Sequence, residues 1–142
     1  MTVALGSDDD APLASALAAR LRELGHEVLL YGALRAAADD DWTSVARGVG
    51  SAVAGGTAAT GILCCWTGTG VCMAANKLRG VRAALCGDAQ TAQGARQWND
   101  ANVLCLSLRA TSVAVALEIL DAWLSAAPTA DPKYRAMIDA IE

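Results

Sequence analysis

The chain has 142 residues, 54% hydrophobic and 18% charged, with a formal net charge of −4. That length suits one domain with a full core, and the composition excludes a disordered chain. The absence of a Lys/Arg cluster argues against nucleic acid or anionic membrane as partner, and with no 18-residue apolar run or signal-peptide pattern a cytoplasmic location is expected.

Thr2 to Gly6 reads as a short apolar strand, followed by Ser7-Asp8-Asp9-Asp10. Asp10 is placed to cap a helix with Pro12 near its first turn. Leu13, Leu17, Leu21 and Leu24 recur at helical spacing, and Gly25 closes the helix. Glu27 to Tyr31 reads as a second strand. Gly32 to Asp41 is a loop whose acidic end is suited to cap the next helix. That helix, Trp42 to Val53, carries Val45, Val49 and Val53 on one face and stops at Gly55-Gly56. Thr60 to Cys64 reads as a third, fully buried strand and Val71 to Leu78 as a helix. Arg82 to Cys86 is a fourth strand, Ala89 to Gln97 a helix weakened by Gly94, and Asn102 to Leu106 a fifth strand. Thr111 to Ser125 is a helix with Val115, Leu117, Ile119, Leu120 and Leu124 apolar. After Pro128 and Pro132, Tyr134 to Ile141 reads as a short terminal helix, a candidate for docking on a partner. Strands alternating with helices predict an α/β fold: a Rossmann-like parallel sheet of five strands with helices on both faces. The carboxyl ends of strands one, three, four and five then meet at one edge. That edge carries Asp8, Asp9, Cys65 to Gly70, Gly87-Asp88 and Arg109. The many alanines suit close packing, including packing between subunits.

The organising stretch is Cys64-Cys65-Trp66-Thr67-Gly68-Thr69-Gly70-Val71. A strand-to-helix turn at the carboxyl edge of an open sheet is where ligands bind. Two glycines let the backbone approach a ligand, and helix-start N–H groups face any oxyanion placed there. A cysteine beside a helix N-terminus is favoured as thiolate, hence as base or nucleophile. On spacing alone, a plain tight turn with Cys65 as a small core residue explains the pattern equally well. The turn has no Gly-Lys-Ser/Thr and lacks the third glycine of dinucleotide-binding turns.

Cysteines stand at 64, 65, 72, 86 and 105, without a Cys-x-x-Cys pair, and the single histidine is His26. No zinc site is expected, and cytosolic thiols should be reduced.

Several segments together resemble the sugar-phosphate isomerase family that contains type B ribose-5-phosphate isomerase and the galactose-6-phosphate isomerase subunits. They are Gly6-Ser7-Asp8, Cys65-x-Thr67-Gly68-x-Gly70, Ala74-Ala75-Asn76-Lys77, Gly80-Val81-Arg82-Ala83-Ala84-Leu85-Cys86 and Asn99-Asp100-Ala101-Asn102-Val103-Leu104. The match runs from Met1 to about Ile119. It implies a homodimer, sometimes paired into a homotetramer, with the active site shared between two subunits and no metal or organic cofactor. By the same resemblance Cys65 is the base that moves a proton between C1 and C2 of an open-chain sugar. Thr67 and the Gly68 to Gly70 backbone hold substrate oxygens, and Asp8 binds sugar hydroxyls. Asn99 supports the oxyanion and Arg109 contacts the phosphate, both reaching over from the partner subunit.

The departures are informative. Where the family usually has a phosphate-binding histidine this chain has Asp9, and where it has the ring-opening histidine this chain has Trp98. Another common histidine is Gly87, a tyrosine near the substrate is Trp42, and the glycine beside the catalytic cysteine is Trp66. Lys133 and Arg135 are the candidates for a terminal phosphate ligand. An indole exchanges no proton at neutral pH, so Trp98 supplies no acid, and Asp88 is the nearest group on the same edge to replace one. Trp66 and Trp98 offer flat faces to the C–H side of a sugar, and Asp9 offers a hydroxyl acceptor. The expectation is an aldose–ketose isomerase of a small sugar or sugar phosphate, favouring open-chain substrates. A non-catalytic sugar-phosphate-binding homologue, or an inactive subunit of a mixed oligomer, is the competing reading.

Overall fold

The computed structural model describes residues 1–36 and 41–141. In chain order the elements are β1 (Thr2–Ser7), α1 (Pro12–Glu23), β2 (Glu27–Gly32), α2 (Trp42–Ala54), β3 (Thr60–Cys65) and α3 (Thr69–Ala75). They continue with β4 (Ala83–Leu85), α4 (Ala89–Asn99), β5 (Val103–Ser107), α5 (Val113–Ser125) and α6 (Pro132–Asp139). One sheet in the order β2-β1-β3-β5-β4 holds all five strands, and every pairing is parallel. The α/β architecture expected from the alternation of strands and helices is therefore the one observed.

Each face of the sheet has its own apolar cluster, as a doubly wound sheet requires. Val3, Leu5, Ile62, Cys64, Leu104 and Leu106 pack with Leu13, Leu17 and Leu21 of α1 and with Ala116, Ile119, Leu120 and Trp123 of α5. The alternate strand residues Ala4, Leu63, Cys65, Val103 and Cys105 pack with Val45 and Val49 of α2 and with Val71 and Ala75 of α3. Trp123 is buried, and its indole N–H donates to Thr60 Oγ1 at 3.0 Å, so a bulky polar-tipped ring sits in the core without an orphaned donor.

Local chemistry moves several boundaries from their sequence-based positions. The cap of α1 is Ala11, not Asp10: Pro12 occupies the first helical turn and holds the residue before it extended (φ −94, ψ 149). Leu24 follows the helix and is exposed rather than part of its apolar stripe. Of the acidic run before α2, Asp39 and Asp40 lie outside the described residues. Asp41 caps the helix by accepting from the Thr43 and Ser44 amides. Helix α3 begins two residues earlier than predicted, directly after left-handed Gly68, and ends at Ala75 because Asn76 turns to other work. Strand β4 keeps only three residues, α5 starts at Val113 behind its Ser112 cap, and α6 starts at Pro132 behind Asp131.

The strand order creates the site. From β1 the chain moves outward to β2, then returns to the other side of β1 for β3, so successive connections diverge between β1 and β3. In open α/β sheets the crevice at the carboxyl ends of two such strands is where ligands bind. The ends meeting there are Ser7 and Cys64-Cys65, with Ser7 in register with Cys64.

Gly32 closes the turn beside this crevice. Its φ is +66, and a Cβ there would collide with the Ser7 carbonyl oxygen, which accepts from Ala33 N–H at 2.9 Å. Gly32→Ala should therefore cost about 1–3 kcal/mol or more, read as a lower urea midpoint with unchanged slope. An unchanged midpoint would contradict this packing.

Candidate active site

The end of β1 supplies a turn held by its own serine. Ser7 is fully buried, and its Oγ donates to the Asp9 carbonyl at 2.6 Å and accepts from the Asp9 amide at 3.3 Å. Asp8 is half-buried and Asp9 exposed at the mouth of the crevice.

The end of β3 supplies the loop. Its carbonyls are tied down by the segment that follows β5: Leu108 N–H donates to Cys65 O at 3.0 Å, and Arg109 N–H donates to Trp66 O at 2.9 Å. Ser107 Oγ donates to the same Trp66 carbonyl at 2.9 Å. Gly68 then turns with φ +75 so close to β5 that a Cβ would fall 2.9 Å from the Leu106 carbonyl carbon. No other residue type enters that turn without strain. Cys65 is 5% exposed, whereas Trp66 is 63% exposed. Thr67 and Thr69 are exposed with their hydroxyls 2.7 Å apart. Trp42 lies against Gly70. An open depression of ≈ 480 Å³ adjoins the loop, lined by Thr67, Leu85, Gly87, Ser107 and Arg109 among others.

Trp98, Asn99 and Arg135 lie elsewhere. Helix α4 starts at the crevice edge and runs away from it, carrying Trp98 and Asn99 about 15 Å along its axis. Gly94 explains itself here: the Trp98 ring lies across it, and a Cβ would meet that ring at 2.9 Å. Trp98 and Asn99 line a second depression, of ≈ 510 Å³, with Asp88, Thr91 and Gly94. Arg135 of α6 joins this end of α4, with Nη1 3.2 Å from Asp100 Oδ2. Arg109 lies in the loop bonded to its own chain's Trp66 and lines the depression beside Thr67.

Asp88 stands at the start of α4. It caps α4, accepting from Thr91 N–H at 2.7 Å and Thr91 Oγ1 at 2.9 Å. The Thr91 amide bond, with the hydroxyl bond behind it, holds the carboxyl below its ordinary range. These bonds favour the ionised carboxylate.

Two asparagines of the recognised motifs have roles that sequence reasoning left unassigned. Asn76 accepts from Ala83 N–H and donates to Ala83 O, both at 2.8 Å, pairing with edge strand β4 as another strand would. Asn102 accepts from Arg82 N–H and donates to Gly80 O, both at 2.8 Å. Both pin the short β4; an asparagine just beyond a helix or strand end is the only signal that could have flagged them.

Burial pushes the thiols of Cys64 and Cys86 up to about 12, helped by Cys65 for the first and by the Asp88 carboxylate for the second. Cys72, half-buried on α3, goes the other way, to about 7, because hydrogen bonding with the Cys105 thiol outweighs its burial. Cys105 is held well above the ordinary thiol value by the same bond and by burial. Among the described residues, no three His, Cys, Asp or Glu side chains group as metal ligands, and no helix is long and apolar enough to cross a membrane.

A thiol, two hydroxyls and a glycine turn at the switch point of a parallel sheet define an α/β protein built to hold a small polar ligand. The chain belongs to the Ribose/Galactose Isomerase family, whose model matches residues 3–141, and it is an isomerase. Ribose-5-phosphate isomerase B of Escherichia coli K12 is 43% identical over 110 residues, covering 78% of this chain and 73% of the relative. D-erythrulose-4-phosphate isomerase of Pectobacterium atrosepticum is 36% identical over 127 residues, covering 89% of this chain and 84% of the relative. The solved ribose-5-phosphate isomerase B of Clostridium thermocellum superposes with a TM-score of 0.91 at 33% identity, covering 99% of this chain and 95% of that one.

The thiol environments set an order of modification. In native protein, iodoacetamide should label Cys72 with a midpoint near pH 7, because the thiolate is the reactive form. Cys64 and Cys86 should stay unlabelled near neutrality. Peptide mass spectrometry finding either of them labelled as fast as Cys72 would overturn these assignments.

Proposed function

We propose that this protein is an aldose–ketose isomerase of small sugar phosphates, working in the cytoplasm through Cys65 and an enediolate, with residues 1–142 forming one domain. The observation that carries the reading is the position of Cys65: it is the last residue of β3, at the switch point, with its carbonyl locked to Leu108. From there a thiolate takes the C2 proton of an open-chain aldose. The C2–H electron pair becomes the C1=C2 bond, and charge passes to the former carbonyl oxygen. Return of the proton from sulfur to C1, with transfer of a hydroxyl proton from O2 to O1, completes the ketose.

The developing oxyanion needs preorganised donors. Thr67 and the Gly68 to Gly70 backbone supply them in this reading, while Asp8 and Asp9 accept from sugar hydroxyls and Arg109 faces the phosphate. Trp66 and Trp98 are exposed aromatic faces suited to sugar C–H groups. Asn99 lies at the far end of α4 with Arg135 beside that end, and in this reading a second copy supplies both. Sedimentation should therefore give a homodimer or a pair of dimers at micromolar concentration. A monomer alone would sink the shared site.

Of the two groups weighed for ring opening, Trp98 is an indole and Asp88 a capped carboxylate, and neither is suited to donate a proton there. Four-carbon sugar phosphates with the terminal hydroxyl esterified cannot close a furanose ring and need no such donor. Similarity to a D-erythrulose-4-phosphate isomerase supports the same preference. The test is isomerisation followed by NMR over tetrose, pentose and hexose substrates, with and without phosphate. Tetrose phosphates should turn over better than ribose 5-phosphate, and Trp98→His should help pentoses more than tetroses. Cys65→Ala should abolish turnover, by about 10³-fold or more, with an unchanged circular dichroism spectrum. Ribose 5-phosphate turned over as well as erythrose 4-phosphate would defeat the open-chain preference, and an active Cys65→Ala would defeat the mechanism.

A further inference from the structure

We infer that Asp100 is a positioning residue that sets Arg135 beside Asn99 before substrate arrives. The inference rests on the reading just given, in which Arg135 and the end of α4 complete a second copy's site.

Among the described residues Asp100 is the one non-glycine with positive φ (φ 47, ψ 40). It terminates α4 there, its amide donating to the Ala95 carbonyl. A left-handed helix terminus favours glycine, so a side chain kept in that conformation is one whose atoms are used. Its carboxylate is used twice: Oδ2 lies 3.2 Å from Arg135 Nη1 and 3.4 Å from Arg82 Nη2. Arg82 also donates from Nε to the Asp100 carbonyl at 2.8 Å, fixing the backbone that carries the carboxylate.

One carboxylate serves two guanidiniums. Asp100 and Arg82 are the more buried members, with side chains 22% and 18% exposed, while Arg135 is 42% exposed. Arg135 therefore keeps donors facing outward while one of its nitrogens is held. A guanidinium tethered in this way loses less freedom on meeting a phosphate than one free to sweep solvent. Asn99, the adjacent residue, inherits the same fixed backbone.

The test uses Asp100→Asn, which keeps the left-handed backbone accessible but removes the charge, and Asp100→Gly, which removes the side chain and relieves the conformation. Both should raise KM for a tetrose phosphate by about tenfold while kcat moves by about twofold or less. For the same sugar without phosphate, KM should not change. Combined with Arg135→Gln, Asp100→Asn should add nothing further, because its effect runs through Arg135. A wild-type KM in both Asp100 variants, or full additivity with Arg135→Gln, would overturn the inference. If Arg135→Gln itself leaves KM unchanged, the reading of Arg135 as a phosphate ligand fails and the inference falls with it. If Arg135→Gln raises KM and Asp100→Asn does not, the inference alone fails.

Discussion

Beyond the last rung of the sheet, β3 and β5 go on pairing: Leu108 and Arg109 amides meet the carbonyls of Cys65 and Trp66. Ser107 adds its hydroxyl to the second of these carbonyls. This extension governs the site. It directs the loop carbonyls into the protein and leaves the exposed Thr67 and Thr69 hydroxyls at the crevice. It also sets Gly68 so close to β5 that any side chain would collide. The cysteine at the end of β3 is thereby placed by two strands and a turn, none of which can shift without breaking a hydrogen bond. A base that must reach one carbon–hydrogen bond benefits from such fixed placement.

A second constraint comes from the edge strand. With only three residues, β4 makes few ladder bonds, yet Leu85 and Gly87 behind it line the depression beside Thr67. Asn76 from one side and Asn102 from the other supply the bonds that a longer strand would have made. By occupying the amide and carbonyl of Ala83, Asn76 also shields an edge that would otherwise invite pairing with another chain. Asn76 and Asn102, both in segments that resemble sugar isomerases, thus hold the scaffold.

The functional groups fall into two sets. One surrounds Cys65 at the carboxyl edge; the other, with Trp98, Asn99, Asp100 and Arg135, gathers where α4 ends and α6 packs. Helix length separates them, since α4 spans the distance from one edge of the sheet toward the other. A single copy therefore holds Cys65 at one end of α4 and Arg135 at the other. Asp100 binds that second set together through its contacts with Arg82 and Arg135.

Much of this was legible in the chain itself. Apolar runs between helical periods determined a parallel α/β sheet, because a strand buried on both faces reads as continuous hydrophobic sequence. Gly-x-Gly after Cys65 marked the turn, because only glycine accepts a backbone that close to β5. What the sequence left open were the relations between elements. Nothing local says that Arg109 folds back on its own Trp66, or that the thiol lowered by a neighbour is Cys72's. Each depends on a partner brought near by strand order. Periodicity and propensity are properties of neighbours in sequence, whereas charge, burial and hydrogen bonding at a site are properties of neighbours in space.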